Sequence, residues 1–290
     1  MDETIKKGTL YLSATPIGNL ADMTYRAVQI LGQVNLIAAE DTRHTRKLLS
    51  CYDIHTKLTS YHEHNKFTKG PELIAYLLTG EDLVVVSDAG LPGIADPGSH
   101  LAELAIAEGI VVTPLPGANA ALSALICSGL DTTMFTFVGF LPKTTKKRRD
   151  VLEKIKQREE TLLFYEAPHH LKATLKELNH TFGSQRPAAV ARELTKKFEE
   201  FLRGSLGDLA EHFDQIQPRG EFVIVVAGCD AETILAEELE QRGNMLSPAE
   251  LVGSLVADGM DKKLAMKQAA ITLGISRRDV YQAVLAAEKE

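Results

Sequence analysis

Short apolar runs rich in β-branched residues alternate with stretches of helical periodicity along most of this chain, and that alternation restricts its fold more than any other feature. Thr9–Ala14, Val34–Ala39, Leu83–Val86 and Ile110–Val112 read as strands, with Tyr25–Leu31, Pro71–Leu78 and Leu101–Ala107 as helices between them. Alternation of this kind predicts an α/β architecture with a mostly parallel sheet. Pro114–Asn119 breaks the rhythm and marks a candidate domain junction. The pattern then restarts, with Phe135–Phe140, Thr161–Tyr165, Ala188–Arg192 and Phe222–Ala227 as strands and Lys143–Arg158 and Leu171–Leu178 as helices. Past Asp230 the expectation is an acidic helix (Glu232–Arg242), a Gly243-Asn244 break and two short helices. The expected domains are an N-terminal α/β domain over 1–115, a second α/β domain over 116–230 and a helical tail over 231–290.

The strand Leu83–Val86 runs straight into Ser-Asp-Ala-Gly-Leu-Pro-Gly-Ile-Ala-Asp-Pro-Gly, residues 87–98. Glycine permits turns and close approaches that a side chain forbids, while proline freezes the path. A loop of that make-up at the carboxyl end of a strand is where open α/β sheets hold ligands. Thr15–Leu20 and Glu40–His44 also follow predicted strands, so a parallel sheet places all three loops along one edge. Pro116–Asn119 opens the helix Ala120–Ile126, whose first backbone N–H groups are free to meet a carboxylate or a ribose oxygen. In the second half, Tyr165–Pro168 and Arg192–Lys196 end strands in the same way. Two sheets facing each other across such loops make a cleft that holds a cofactor and a substrate together.

Composition narrows the chemistry. The 290 residues are 44% hydrophobic, enough core for more than one domain. There is no apolar run long enough to span a bilayer, and the first seven residues lack the apolar stretch of a signal peptide. Three scattered cysteines suit a reducing cytoplasm, and Cys127 reads as a core residue of an apolar helix rather than a nucleophile. No Gly-x-Gly-x-x-Gly follows the first strand and no Gly-Lys-Ser/Thr loop occurs, which argues against ordinary dinucleotide and nucleoside-triphosphate sites. Tyr61-His62-Glu63-His64 and His169-His170 lack the spacing that puts two ligands on one helix face, so no metal site is expected.

A net charge of −7 argues against a generally basic coat but not against local patches. Lys143, Lys146, Lys147, Arg148 and Arg149 form one basic run, open to two readings: a solvated helix face or a landing strip for phosphates. In the tail, Leu264–Leu273, Gly274 and Ser276-Arg277-Arg278-Asp279 have the order of a helix-turn-helix, with Ala270 and Val280 as packing residues. Lys262, Lys263, Lys267, Arg277 and Arg278 make that region basic, and it either contacts nucleic acid or packs as a helical hairpin.

Together these segments resemble a known family. Thr15–Leu20, Ala39–Arg43, Ser87–Gly98 and Pro114–Ala120 are similar to the motifs of the tetrapyrrole methylase superfamily. Gly139–Pro142, Glu166–His169 and Ala191–Lys196 extend the likeness to its ribosomal RNA branch, the small-subunit methyltransferase I family. The match covers nearly the whole chain; Ala95 stands where many relatives carry serine.

The resemblance implies an S-adenosylmethionine (SAM)-dependent enzyme with two α/β domains of tetrapyrrole-methylase type around a cofactor cleft, a helical tail and a homodimeric assembly. It implies 2′-O-methylation of a cytidine ribose in the decoding region of 16S rRNA, with rRNA or the 30S subunit as partner. Carried over by motif, the cofactor contacts are Pro16, Gly18, Asp88, Ala89, Gly90, Leu91, Pro92, Pro116, Gly117 and Ala118. RNA contacts are expected from Lys143, Lys146, Lys147, Arg148 and Arg149, and from Arg277 and Arg278. A ribose hydroxyl is a weak acid, so a base or a nearby cation helps its attack. Glu40, Asp41, Glu166, Glu193 and Lys196 lie beside the cleft loops as candidates, and the residues alone do not choose among them. Arg43, Arg192 and Glu193 are equally readable as ion pairs holding the loops. The alternative activity is methylation of a tetrapyrrole or corrin precursor, which needs neither basic run nor tail. A non-enzymatic nucleic-acid-binding protein would leave the strand-end loops without a purpose.

Overall fold

The computed structural model describes residues 6–94, 96–230 and 246–287. Two compact units make up the chain, Met1–Lys156 with Glu160–Ala227 and Gln157–Glu159 with Gly228–Glu290. The larger unit contains two five-stranded sheets.

The first sheet takes β1 (Thr9–Ser13), β2 (Leu36–Ala39), β3 (Lys57–Ser60), β4 (Leu83–Val86) and β5 (Val111–Leu115) in the order β3-β2-β4-β1-β5. Every pairing is parallel. β4 lies at the centre and is buried throughout, because both of its faces are covered: Leu83 and Val85 pack with α3 (Lys66–Leu78) and α4 (Gly98–Ala107), while Val84 and Val86 pack with α1 (Tyr25–Gln33) and α2 (Thr42–Cys51). A strand buried on both faces has no alternation, only a continuous apolar run. Pro114 does not end β5, since that strand is at the sheet edge, where a missing N–H donor is tolerated. α3 likewise starts five residues before the expected Pro71, with Gly70 in front of the proline where a larger residue would resist the helical conformation.

The second sheet corrects the expectation of a mostly parallel arrangement. It orders β6 (Phe135–Phe140), β7 (Thr161–Glu166), β8 (Pro187–Arg192), β9 (Glu200–Ser205) and β10 (Phe222–Val226) as β6-β7-β10-β8-β9. Only β6 and β7 run parallel; β10 is antiparallel to both neighbours and β8 is antiparallel to β9. On one face α6 (Thr145–Ile155), α7 (Leu171–Phe182) and α8 (Leu206–Gln215) bury a core around Phe164, Ile224 and Phe213. On the other, α5 (Ala120–Ser128) packs on Leu163, Ala189 and Val225. Cys127 is on the exposed side of α5, not in the core as expected, because Ala121, Ala124, Leu125 and Ser128 make the buried stripe. α8 begins with a capping box: Ser205 Oγ accepts from Asp208 N–H at 3.1 Å and Asp208 Oδ2 accepts from Ser205 N–H at 3.1 Å. Ser205→Ala is expected to cost about 1 kcal/mol, read as a lower urea midpoint at unchanged slope.

The tail unit has three described helices rather than two, α9 (Pro248–Ala257), α10 (Lys262–Thr272) and α11 (Arg277–Ala287), around Leu251, Leu255, Ala269, Val280 and Val284. Between α10 and α11, Gly274 turns at φ +63° and Ser276 Oγ accepts from Asp279 N–H, as the helix-turn-helix order predicts. Ala270 and Val280 are buried and Arg277 and Arg278 exposed. The acidic helix expected over 232–242 lies outside the described residues. No described helix is long and apolar enough to cross a membrane.

Candidate active site

The parallel register of β1, β2 and β4 brings the loops that follow them to one edge of the first sheet. Thr15 and Gly90 tie two of these loops together: Thr15 N–H donates to Gly90 O at 2.9 Å and Gly90 N–H to Thr15 O at 3.1 Å. Thr15 Oγ1 donates to Ser87 O at 3.2 Å, and Ser87 Oγ donates to Gly90 O at 3.2 Å. Gly90 adopts φ +83°, which a side chain rarely takes. Farther along, Asp96 Oδ1 accepts from Gly93 N–H at 2.7 Å and Gly98 N–H at 2.8 Å, clasping the loop on itself. Burial pushes the Asp96 carboxyl up despite those two bonds.

These loops border a cavity of about 500 Å³ whose other walls come from the second sheet. From the first half it is lined by Ile17, Glu40, Ser87–Leu91, Ile94 and Asp96; from the second by Asn119, Ala120, Phe140, Tyr165–Pro168, Ala191, Leu194 and Glu221–Val223. Of the expected cofactor contacts, Asp88, Ala89, Gly90 and Leu91 are on the wall. Pro16, Gly18, Pro92, Pro116, Gly117 and Ala118 are not on the wall, although each lies within three residues of one that is. The structure gives two of these glycines a packing reason. A Cβ on Gly18 would come 2.9 Å from Thr195 Oγ1, and one on Gly117 would come 2.8 Å from the Ala14 Cβ.

The N-terminus of α5 is less open than expected. Asn119 Oδ1 accepts from Leu122 N–H at 2.9 Å, which occupies one of the helix's free donors. Tyr165 and Phe140 form an aromatic corner, ring centroids 5.6 Å apart; the sequence places the loop Tyr165–Pro168 at the cleft but singles out neither ring as a contact. Their signal was position: each is at or next to the carboxyl end of a strand.

The five catalytic candidates separate. Asp41 faces away into a cap: it heads α2, a helix that replaces the expected Glu40–His44 loop, and its carboxylate binds Arg43 N–H at 2.8 Å and Arg43 Nη2 at 2.7 Å. Arg43 holds the Asp41 carboxyl far below the ordinary carboxylate range. Glu193 and Lys196 are committed to each other. Lys196 Nζ lies 2.8 Å from Glu193 Oε1 and 2.8 Å from Glu221 Oε2, and Glu193 Oε1 also accepts from Glu221 N–H at 2.9 Å. Burial raises the Glu193 carboxyl, but Lys196 and that N–H outweigh it and the net displacement is downward. The loop holding this network is strained, with Glu193 at φ 49° and Thr195 at φ 66°. Arg192 is also engaged, donating to Arg219 O at 2.8 Å. Glu40 and Glu166 remain on the cavity wall.

In the basic run, Lys143, Lys146, Lys147 and Arg149 are exposed. Arg148 turns inward to a two-pronged pair with Glu177 of α7, its Nη2 2.5 Å from Oε1, so the run offers four outward cations and not five. Among the described residues no group of three or more His, Cys, Asp or Glu is placed to hold a metal ion.

The chain is similar to proteins called "Ribosomal RNA small subunit methyltransferase I". That of Halalkalibacterium halodurans is 50% identical over 95% of this chain and 94% of its own length; that of Bacillus subtilis is 48% identical over 95% and 94%. Among solved structures, uroporphyrin-III C-methyltransferase of Thermus thermophilus, solved as a complex with S-adenyl homocysteine, superposes with a TM-score of 0.54 at 15% identity, over 76% of this chain and 97% of that one. A conserved hypothetical protein of Aeropyrum pernix K1 covers 98% of this chain and 97% of its own, with a TM-score of 0.60 at 16% identity. At those identities the likeness is one of fold. The model of the Tetrapyrrole (Corrin/Porphyrin) Methylases matches residues 9–210, and with the near-full-length relatives it establishes that the chain belongs to the tetrapyrrole methylase family, in its small-subunit rRNA methyltransferase I branch.

Proposed function

We propose that this chain is a SAM-dependent methyltransferase that 2′-O-methylates the ribose of a cytidine in the decoding region of 16S rRNA, acting in the cytoplasm as a homodimer. The observation that carries the reading is a ligand-sized cavity with an exposed basic run starting at its rim. Phe140 is on the cavity wall and Lys143 is three residues on, within about 10 Å of chain.

The cavity fits SAM. Its volume is that of a small-molecule site. Its walls combine apolar surface (Ile17, Leu194, Val223) with backbone at Ala89–Leu91 and the Asp88 carboxylate, suited to a purine, a ribose and a cationic amino-acid chain. Bound SAM supplies an activated methyl group on a sulfonium. The chain's own part is alignment and water exclusion: the Thr15–Gly90 bridge and the Asp96 clasp hold the cofactor loop in one shape, and Phe140 and Tyr165 wall one side.

The basic run supports an RNA acceptor. Lys146 and Lys147 are in the first turn of α6, and that turn has no acidic residue. Cations there oppose the helix dipole, an arrangement relieved when a phosphate binds at that end. Arg277 and Arg278 at the start of α11 supply a second positive surface.

The test is tritiated methyl transfer from SAM to purified undermethylated 30S subunits, followed by nuclease digestion and nucleoside analysis. Labelled 2′-O-methylcytidine is the expected product. No label in 30S or free 16S rRNA, with SAM binding intact, would move the acceptor to a small macrocycle.

A further inference from the structure

We propose that Glu40 is the catalytic residue that takes the proton from the attacking ribose hydroxyl. This rests on the methyltransferase reading and adds to it the identity of the base. Five carboxylates reach the cavity wall: Glu40, Asp88, Asp96, Glu166 and Glu221. Four have other work. Asp96 clasps Gly93 and Gly98; Glu166 accepts from Ala167 N–H at 2.8 Å through one oxygen and from the Thr174 hydroxyl through the other. Glu221 is paired with Lys196, and Asp88 stands in the cofactor loop with Oδ1 accepting from Asp41 N–H at 3.0 Å.

Glu40 directly follows β2, one strand from the cofactor loop, and its carboxylate has only the Asp88 N–H as a donor among the described residues, with no lysine or arginine paired to it. Lone pairs remain for a substrate hydroxyl. Half-burial and the nearby Asp88 and Asp96 charges, both from the loop after β4, make it a stronger base than an ordinary glutamate. His62, from the loop after β3, pulls weakly the other way. Its Nδ1 is buried without a hydrogen-bond partner. In the step, the ribose O2′ forms its bond to the methyl carbon, the S–CH3 bond breaks with its electron pair staying on sulfur, and the O2′ proton passes to the Glu40 carboxylate.

The sign of the pH dependence follows. A carboxyl raised above 4.5 is the active base only above its own pKa, so the rate falls with acidification earlier than an ordinary glutamate would dictate. The experiment measures single-turnover methyl transfer to 30S from about pH 5 to about pH 9 for wild type, Glu40→Gln, Glu40→Asp and Asp88→Asn, with S-adenosylhomocysteine binding by calorimetry and 30S binding by filter retention. Glu40→Gln is expected to transfer at least about 10²-fold more slowly and to lose the acid limb, with both binding constants within about twofold. Glu40→Asp recovers part of the rate and the limb, whereas Asp88→Asn weakens cofactor binding. Glu40→Gln transferring within about threefold of wild type overturns the proposal. So does a Glu40→Gln protein that loses cofactor affinity in parallel, or a Glu40→Asp no faster than Glu40→Gln. Wild type that labels no RNA at all instead refutes the RNA-methyltransferase reading on which this rests.

Discussion

Gly90→Val is expected to abolish cofactor binding while leaving a folded protein. The wild-type residue holds φ +83°, and a β-branched residue forced there carries roughly 1–3 kcal/mol of strain. Space for the first carbon is not the difficulty: a Cβ would sit 3.5 Å from Ile17 Cγ2 and 3.6 Å from Ala118 O, ordinary contact distances. The two further methyl groups must enter the cavity or displace Ile17, and relief of the strain breaks the reciprocal bonds with Thr15. Either way the loop from Asp88 to Leu91 loses its shape. S-adenosylhomocysteine affinity should fall at least about 10²-fold, which is about 2.7 kcal/mol, by calorimetry. Urea unfolding should show a loss within the strain estimate, since the cores on either side of β4 are untouched. Gly90→Ala separates the two effects, because it adds strain without filling the cavity. A soluble Gly90→Val protein with wild-type affinity would mean that this loop does not hold the cofactor.

Reversing the outward charges of the basic run should be as damaging to RNA and harmless to the cofactor. The quadruple variant Lys143→Glu, Lys146→Glu, Lys147→Glu, Arg149→Glu changes four exposed side chains and spares Arg148, whose pair with Glu177 ties α6 to α7. Glutamates in the first turn of α6 also suit the helix dipole, so thermal stability is expected to hold or rise. Binding to 30S should weaken at least about 10²-fold at about 0.1 M salt, and the slope of log affinity against log salt should shrink by about 0.7 to 0.9 for each phosphate that is no longer neutralised. Methyl transfer at saturating 30S should recover much of its rate, because the reacting groups are unaltered. Unchanged 30S affinity and salt slope would show that the run is only a solvated helix face.

The elements legible in the chain were those with two buried faces or a strong stripe. Leu83–Val86 reads as a strand because no position in it meets water. Phe135–Phe140 is also bounded as expected although it lies at a sheet edge, because Phe135, Phe137, Val138 and Phe140 still give it the apolar signal of a strand. The two strands that sequence reading did not find, Lys57–Ser60 and Glu200–Ser205, are both at sheet edges and carry few buried side chains. An edge strand is held by backbone bonds on one side and needs little apolar signal. β8 and β10 were legible as strands, and only their antiparallel pairing was not, because an apolar run reads the same whichever way its neighbour runs.

Local composition was enough to single out the loop that lines the cavity, since glycine and proline at the end of a buried strand act through the backbone they permit. It was also enough to gather Glu40, Asp41, Glu166, Glu193 and Lys196 as candidates, but not to rank them. A carboxylate's chemistry is set by its partners. Those of Glu193 include Glu221, a residue 28 positions away, and those of Glu166 include Thr174 across a turn of chain. Only the folded arrangement assigns Lys196 to an ion pair, Asp41 to a helix cap and Arg148 to Glu177, leaving Glu40 facing the cavity with lone pairs to spare. Backbone-borne features were written in consecutive residues; the electrostatics of the site came from contacts between residues far apart in the chain.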